Sequence, residues 1–246
     1  MHIPGKISKA FSDELFSIIN PGSVPVEETK YDAETAMKIV IQRMLTIAEV
    51  NELEHEINKI LERLGTENSF IIKSYSIEEL VIGVKHYLIA WSTMKDVMIN
   101  LINICFDLGM DEKDVSFGVV TRNKKVRGSN VLDIFKKHEK FINVRHTDRQ
   151  RNDATHRGKL LDDKINSFRK KHNSLYSRKY SLLNIDPITD EEFTKELAVL
   201  NAELVELAKL KRKEYSEHFE KTLKLNQDLV RELAGVTANE ILGNRI

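Results

Sequence analysis

Between Ile77 and Leu108 the chain places an apolar residue every three or four positions: Ile77, Leu80, Val84, Tyr87, Trp91, Met94, Met98, Leu101, Cys105 and Leu108. That period is the period of a helix. Val81, Ile89, Val97 and Ile104 add apolar surface on other faces. A helix that is apolar nearly all round belongs at the centre of a bundle. Ser76-Ile77-Glu78-Glu79 reads as a capping box at its start, and Gly109 as its stop. Its uncharged runs, His86–Met94 and Val97–Phe106, are interrupted by Lys95 and Asp96. A membrane span needs about 20 apolar residues in a row, so the segment reads as a buried helix and no membrane association is expected.

The flanking segments have the same character. A helix is expected from the cap Asp32 to Leu64, stopped by Gly65, with Leu53, Ile57, Ile60, Leu61 and Leu64 on one face. A long last helix, about 188–235, is announced by Asp186-Pro187 and a second capping box, Thr189-Asp190-Glu191-Glu192. Phe193, Leu197, Leu200, Leu204 and Leu207 lead its stripe, followed more loosely by Tyr215, Phe219, Leu229 and Leu233. Between them, 111–128 reads as loop, with a short extended piece at Val115–Thr121. Helix is expected again from near Ser129 through Phe135 and Phe141 and on into Arg145–Arg157, and residues 159–184 read as partly helical. Residues 1–30, with Pro4, Pro21 and Pro25, read as an irregular leader holding one short helix at Ser8–Ile19, and 31–246 as a single helical domain. With 10 Gly, 4 Pro and no alternating strand pattern, the fold class is all-α, a bundle of long antiparallel helices. A single cysteine excludes an intramolecular disulfide. Residues 1–20 show no signal-peptide pattern, so a soluble, cytoplasmic protein is expected.

Formal net charge is zero, but the charges are segregated. Residues 121–180 hold eighteen Lys and Arg against six Asp and Glu, a net of +12. Residues 1–120 carry −8 and residues 181–246 carry −4. Such a block either faces phosphates, which makes RNA a candidate ligand, or docks on acidic helices of this chain or of a partner. Tyr176 and Tyr180, set among Arg169, Lys170, Lys171, Arg178 and Lys179, are candidates to stack on bases.

Within the block, Arg151 is followed at once by Asn152 and, after three further residues, by His156. This pattern resembles the Arg–(4 to 6 residues)–His signature of the HEPN superfamily, whose members often place a polar residue directly after the arginine. The resemblance implies an all-α bundle that dimerises with the motifs of two protomers facing each other. It also implies a possible metal-independent endoribonuclease of a toxin–antitoxin or other defence type, with a cognate antitoxin or acidic protein as a further partner. An RNA-binding relative without activity, or a non-catalytic interaction module, is the alternative. Arg149 also reaches His156, with six residues between them. Arg212 reaches His218 with five, but in a Glu/Lys-rich helix that reads as a solvated face.

The residue types suit the chemistry. RNA carries its own nucleophile, the 2′-OH, and histidine, with a pKa of about 6.5, moves protons near neutrality. Arginine holds phosphate with a planar fork and stabilises transition-state charge. On this reading Arg151 holds phosphate, His156 transfers protons and Asn152 positions backbone or phosphate. Arg145, His146, Arg149, Arg157, Arg169, Lys170, Lys171 and Arg178 are the RNA-binding candidates. Five residues of regular helix turn by about 140° and rise about 7.5 Å. Arg151 and His156 on one such helix are therefore not side by side: either the helix breaks near Asp153, or two chains share the site.

No cofactor or metal is expected, since the sequence lacks HExxH and paired cysteines. Walker A, GxGxxG and GxSxG patterns are missing too, which gives no basis for a nucleotidase, dehydrogenase or serine hydrolase. Cys105, Trp91 and Met94 read as core, His55 and His86 as structural or solvent-facing, and the acidic run Glu49–Glu56 as a solvated face.

Overall fold

A computed structural model describes residues 5–19, 30–64, 76–134, 137, 149, 152, 162–180 and 187–243. The described residues are mostly helical, without a strand. In chain order the helices are α1 (Lys6–Ile18), α2 (Ala33–Arg63), α3 (Ile77–Cys105), a 3-10 turn at Glu112–Asp114, α4 (Phe117–Val120), α5 (Lys124–Arg127), α6 (Asp163–Tyr180) and α7 (Asp190–Leu242). A further helical turn occupies 131–134. The all-α class is as the sequence predicts.

The caps explain why the long helices start where they do. Thr35 N–H donates to Asp32 Oδ1 at 2.7 Å ahead of α2. At α3, Glu79 N–H donates to Ser76 Oγ at 3.2 Å while Ser76 N–H donates to Glu79 Oε2 at 2.7 Å. Thr189 and Glu192 repeat that reciprocal pair at α7, at 3.2 and 2.9 Å. Each satisfies N–H groups that a helix cannot satisfy itself.

The apolar stripe of α3 is buried from Ile77 to Cys105, with Leu108 half-buried; Ile82 and Ile89 are its exposed apolar residues. The helix stops before Gly109. Leu108 N–H donates to Asn103 O at 3.0 Å and Asp107 N–H to Ile104 O at 3.3 Å, the bonding pattern of a Schellman stop. Asp107 takes the left-handed position, φ 46°, which a short polar side chain tolerates better than most. Lys125 Nζ donates to the carbonyls of Phe106 and Asp107, both at 3.0 Å, placing a cation at the negative end of the helix.

Residues 115–121 do not form the expected extended piece. Ser116 is extended, but α4 follows at once, and Thr121 Oγ1 donates to Phe117 O at 2.8 Å. The Asn123 side chain accepts from Lys125 N–H at 2.9 Å and starts α5. Local side-chain bonds thus close helical turns where a lone Val119-Val120 pair has no strand to join among the described residues.

Two compact units divide the chain: Met1–Glu56, Ala90–Arg145 and His218–Ile246 form one, Ile57–Ile89 and His146–Glu217 the other. In the first, Ile7, Phe11, Ile47, Val50, Trp91, Met94, Leu101, Phe219, Leu229 and Leu233 are core. Trp91 Nε1–H donates to Thr222 Oγ1 at 3.0 Å, so the largest buried ring leaves no donor unmet. Arg43 is buried and pairs with Glu240, and its Nη2 donates to Cys105 O at 3.4 Å. Burial pushes the Cys105 thiol up to about 11. The acidic run on α2 is solvated except at Glu54, which is buried, with Oε2 lacking a hydrogen-bond partner. Burial raises its pKa, against the weaker opposing charge of Lys6.

In the second unit, Ile57, Leu61, Leu64, Ile77, Leu80, Val84, Tyr87, Leu88, Leu200, Leu204 and Leu207 are buried together with Ile165, Phe168 and Leu175 of α6. A Cβ on Gly83 would lie 2.8 Å from Leu64 Cδ2, so the missing side chain lets α2 and α3 approach closely there.

Candidate functional site

Arg151, His156, Arg145, His146 and Arg157 lie outside the described residues. Asn152 and Arg149 are described; both are helical and exposed. The remaining candidates, Arg169, Lys170, Lys171 and Arg178, stand on α6, an 18-residue helix within the range 159–184 that the sequence reads as partly helical.

α6 is set by its N-cap. Asp162 Oδ1 accepts from Ile165 N–H at 3.0 Å, while Oδ2 accepts from Lys211 Nζ at 2.7 Å, both side chains only 7% exposed. Lys211 also reaches Glu214 at 2.6 Å. Burial opposes the Lys211 charge, but the hydrogen bonds and charges of Asp162 and Glu214 outweigh it and hold its pKa above the usual lysine value. Beside them, Tyr215 lies 4.5 Å from Tyr87, ring to ring. Burial first, and then the negative charges of Asp162 and Glu214, raise the Tyr215 pKa.

The basic residues of α6 are not equivalent. Lys171 pairs with Glu203 at 2.9 Å, Arg178 donates to both oxygens of Glu196 at 3.2 and 3.0 Å, and Lys179 pairs with Asp190. Three cations on this side of α6 thus meet acids of α7. Arg169 and Lys170 are exposed and make no ion pair among the described residues. Beside the pairs runs an open groove of about 690 Å³ lined by Ser167, Phe168, Val199, Ala202 and Leu207.

Sequence reasoning misses the aromatic partner of Tyr176 and Tyr180. Phe193 of α7 meets them edge-on, at 5.4 and 6.0 Å between centroids, although its spacing in the sequence places it only on the stripe of α7. His218 is not on the solvated face the sequence suggests: its ring sits 5.1 Å from Trp91. No group of three or more His, Cys, Asp or Glu among the described residues is placed to hold a metal. No helix among them is long and apolar enough to cross a membrane.

These features define an all-α class of protein in which a basic, capped helix follows an Arg–His motif in the sequence. The HEPN_Cthe2314-like HEPN family matches residues 73–222, more than half of the chain, a range that contains α3, α6 and the motif. The chain belongs to the HEPN superfamily through this family. No curated protein and no solved structure gives a significant match.

Proposed function

We propose that this HEPN protein is a metal-independent endoribonuclease of a toxin or defence type, working as a homodimer. The observation that carries the reading is that Arg151, Asn152 and His156 fall inside the segment matched by the HEPN family. The 2′-OH attacks the adjacent phosphorus, the bond to the 5′-oxygen breaks, and a cyclic phosphate and a 5′-OH result. One group must take the 2′-OH proton and another must protonate the leaving oxygen. His156 fills one of these roles in each protomer, so two facing protomers supply both. Arg151 neutralises the phosphate, Asn152 positions it, and Arg149 and His146 assist. An acidic antitoxin would compete for the same basic surface.

A second reading has its own observation. Lys171, Arg178 and Lys179 are paired to acids of α7, which favours an interaction module whose basic helix is neutralised within the chain.

Labelled RNA and purified protein separate the two. On the first reading, cleavage persists in EDTA, spares DNA and 2′-O-methyl RNA, and falls about 10²–10⁴-fold in His156→Ala. Arg151→Ala also reduces it strongly, and Arg212→Ala leaves it unchanged. Wild-type protein that yields no products between about pH 6 and 8, where a histidine works, would remove the enzyme reading. Sedimentation that shows only the 28.4 kDa chain at micromolar concentration would remove the dimer.

A further inference from the structure

α6 carries an aromatic residue every fourth position: Phe168, His172, Tyr176 and Tyr180. Four residues of helix rise about 6 Å and turn about 40° past a full circle, so the four rings form one slowly winding row. Successive centroids are 6.4, 4.6 and 6.1 Å apart, with planes inclined by 28°, 32° and 34°. Phe193 braces the outer two from the edge. Exposure grows along the row: Phe168 is buried, His172 half-buried, Tyr176 38% and Tyr180 65% exposed.

The row also divides the charges. On one flank Lys171, Arg178 and Lys179 are matched by Glu203, Glu196 and Asp190. Glu192 is engaged with Thr189. The acids near Tyr176 and Tyr180 are therefore already neutralised or hydrogen-bonded. On the other flank stand Arg169, Lys170, Asn173 and Ser177, all exposed. A row whose terminal ring, Tyr180, is the most exposed of the four, with exposed cations and amide or hydroxyl groups on its other flank, suits a strand whose bases are unstacked and whose phosphates run alongside.

We propose that this row is a stacking platform for single-stranded RNA, with a base continuing the row on Tyr180 and phosphates on Arg169 and Lys170. The proposal rests on the RNA reading above and adds the place on the chain where a base is held; the bases of a duplex are stacked on one another and present no free face to such a row.

Binding of a labelled 2′-O-methyl hexauridylate, which cannot be cleaved, is compared with that of a hexamer of the same backbone lacking bases. Wild-type protein should prefer the base-bearing strand. Stacking contributes about 1–3 kcal/mol per base, so Tyr180→Ala should weaken binding of that strand about 5- to 150-fold. It should leave the abasic strand unaffected, and Tyr180→Trp should keep the preference. Equal preference in wild type and Tyr180→Ala, or equal binding of both strands by wild type, would overturn the platform while the RNA reading stands. Wild-type protein that binds neither strand, or that binds an acidic peptide in their place, would overturn both.

Discussion

Asp162 does two jobs with one carboxylate, and they can be separated by substitution. One oxygen caps α6 through Ile165 N–H at 3.0 Å; the other holds Lys211 at 2.7 Å in a place where both side chains are 7% exposed. Loss of an N-cap costs about 1 kcal/mol. Loss of a hydrogen bond to a charged group costs about 1.5–3 kcal/mol. Lys211 keeps Glu214 at 2.6 Å, so its charge is not abandoned, and Asp162→Ala should cost about 3 kcal/mol rather than the sum of the extremes. Asn is as good an N-cap as Asp, so Asp162→Asn should lose only the charge part, about 2 kcal/mol. The difference between the two variants, about 1 kcal/mol, measures the cap. Lys211→Met should cost about 2–3 kcal/mol, because it leaves a buried carboxylate with a backbone donor only. The double variant Asp162→Asn/Lys211→Met leaves neither charge and should cost less than the sum of the singles.

Urea unfolding followed by circular dichroism gives these values, and amide exchange along α6 shows where the loss falls. The pH dependence adds a sign. Lys211 has a folded pKa above its usual 10.5, so its contribution is complete below about 10.5 and is lost as pH rises through the folded value. The gap between wild type and Asp162→Asn should therefore narrow on the alkaline side. Asp162→Ala within about 0.5 kcal/mol of wild type, the range of an inert surface change, would refute this account. So would a double variant as costly as the two singles together.

Glu54→Gln should stabilise the protein by about 1 kcal/mol at neutral pH. The raised carboxyl pKa means that wild-type stability falls as pH rises above 4.5 through the folded value, so melts of the variant should lose that decline. Cys105 shifts from 9.0 to about 11 on burial; the fold should lose about 2–3 kcal/mol between those pH values, and Cys105→Ala should soften this alkaline limb. At pH 8 the thiol should resist disulfide reagents until the protein unfolds. Arg169→Glu with Lys170→Glu should weaken RNA binding and flatten its salt dependence, by about 0.7 log units per log unit of salt for each phosphate no longer held, with melts unchanged. Lys171→Glu should instead lower stability slightly by facing Glu203 with a like charge.

The helices are legible because periodicity and caps are local. The stripe from Ile77 to Cys105 and the capping boxes at Ser76 and Thr189 depend on residues three or four apart, and the structure has them as read. What the sequence misreads depends on partners elsewhere in the chain. Gly109 looks like the end of α3, but Lys125, eighteen and nineteen positions from the carbonyls it caps, meets an earlier stop at Asp107. Glu54 sits in an acidic run that looks solvated, yet its own position points inward. A pair of valines at 119–120 looks like strand material, and becomes a helical turn because no second strand exists among the described residues for it to join.

The site shows the same division more sharply. Counting charges finds a block of +12, but a count cannot say which cations are already matched by acids. Helical geometry decides it. Lys171 and Arg178 stand seven residues apart, two turns of α6, so they fall on one side, and that side meets Glu203 and Glu196. Arg169 and Lys170 precede Lys171 by two positions and one, and are thrown round the helix to the solvent. Four residues that read as one basic cluster are therefore two pairs in different surroundings: one pair fastens α6 to α7, and the other faces solvent. The tyrosines lie on the seam between them, which is why the exposed end of the aromatic row and the solvent-facing cations share a face although nothing in the order of the residues announces it.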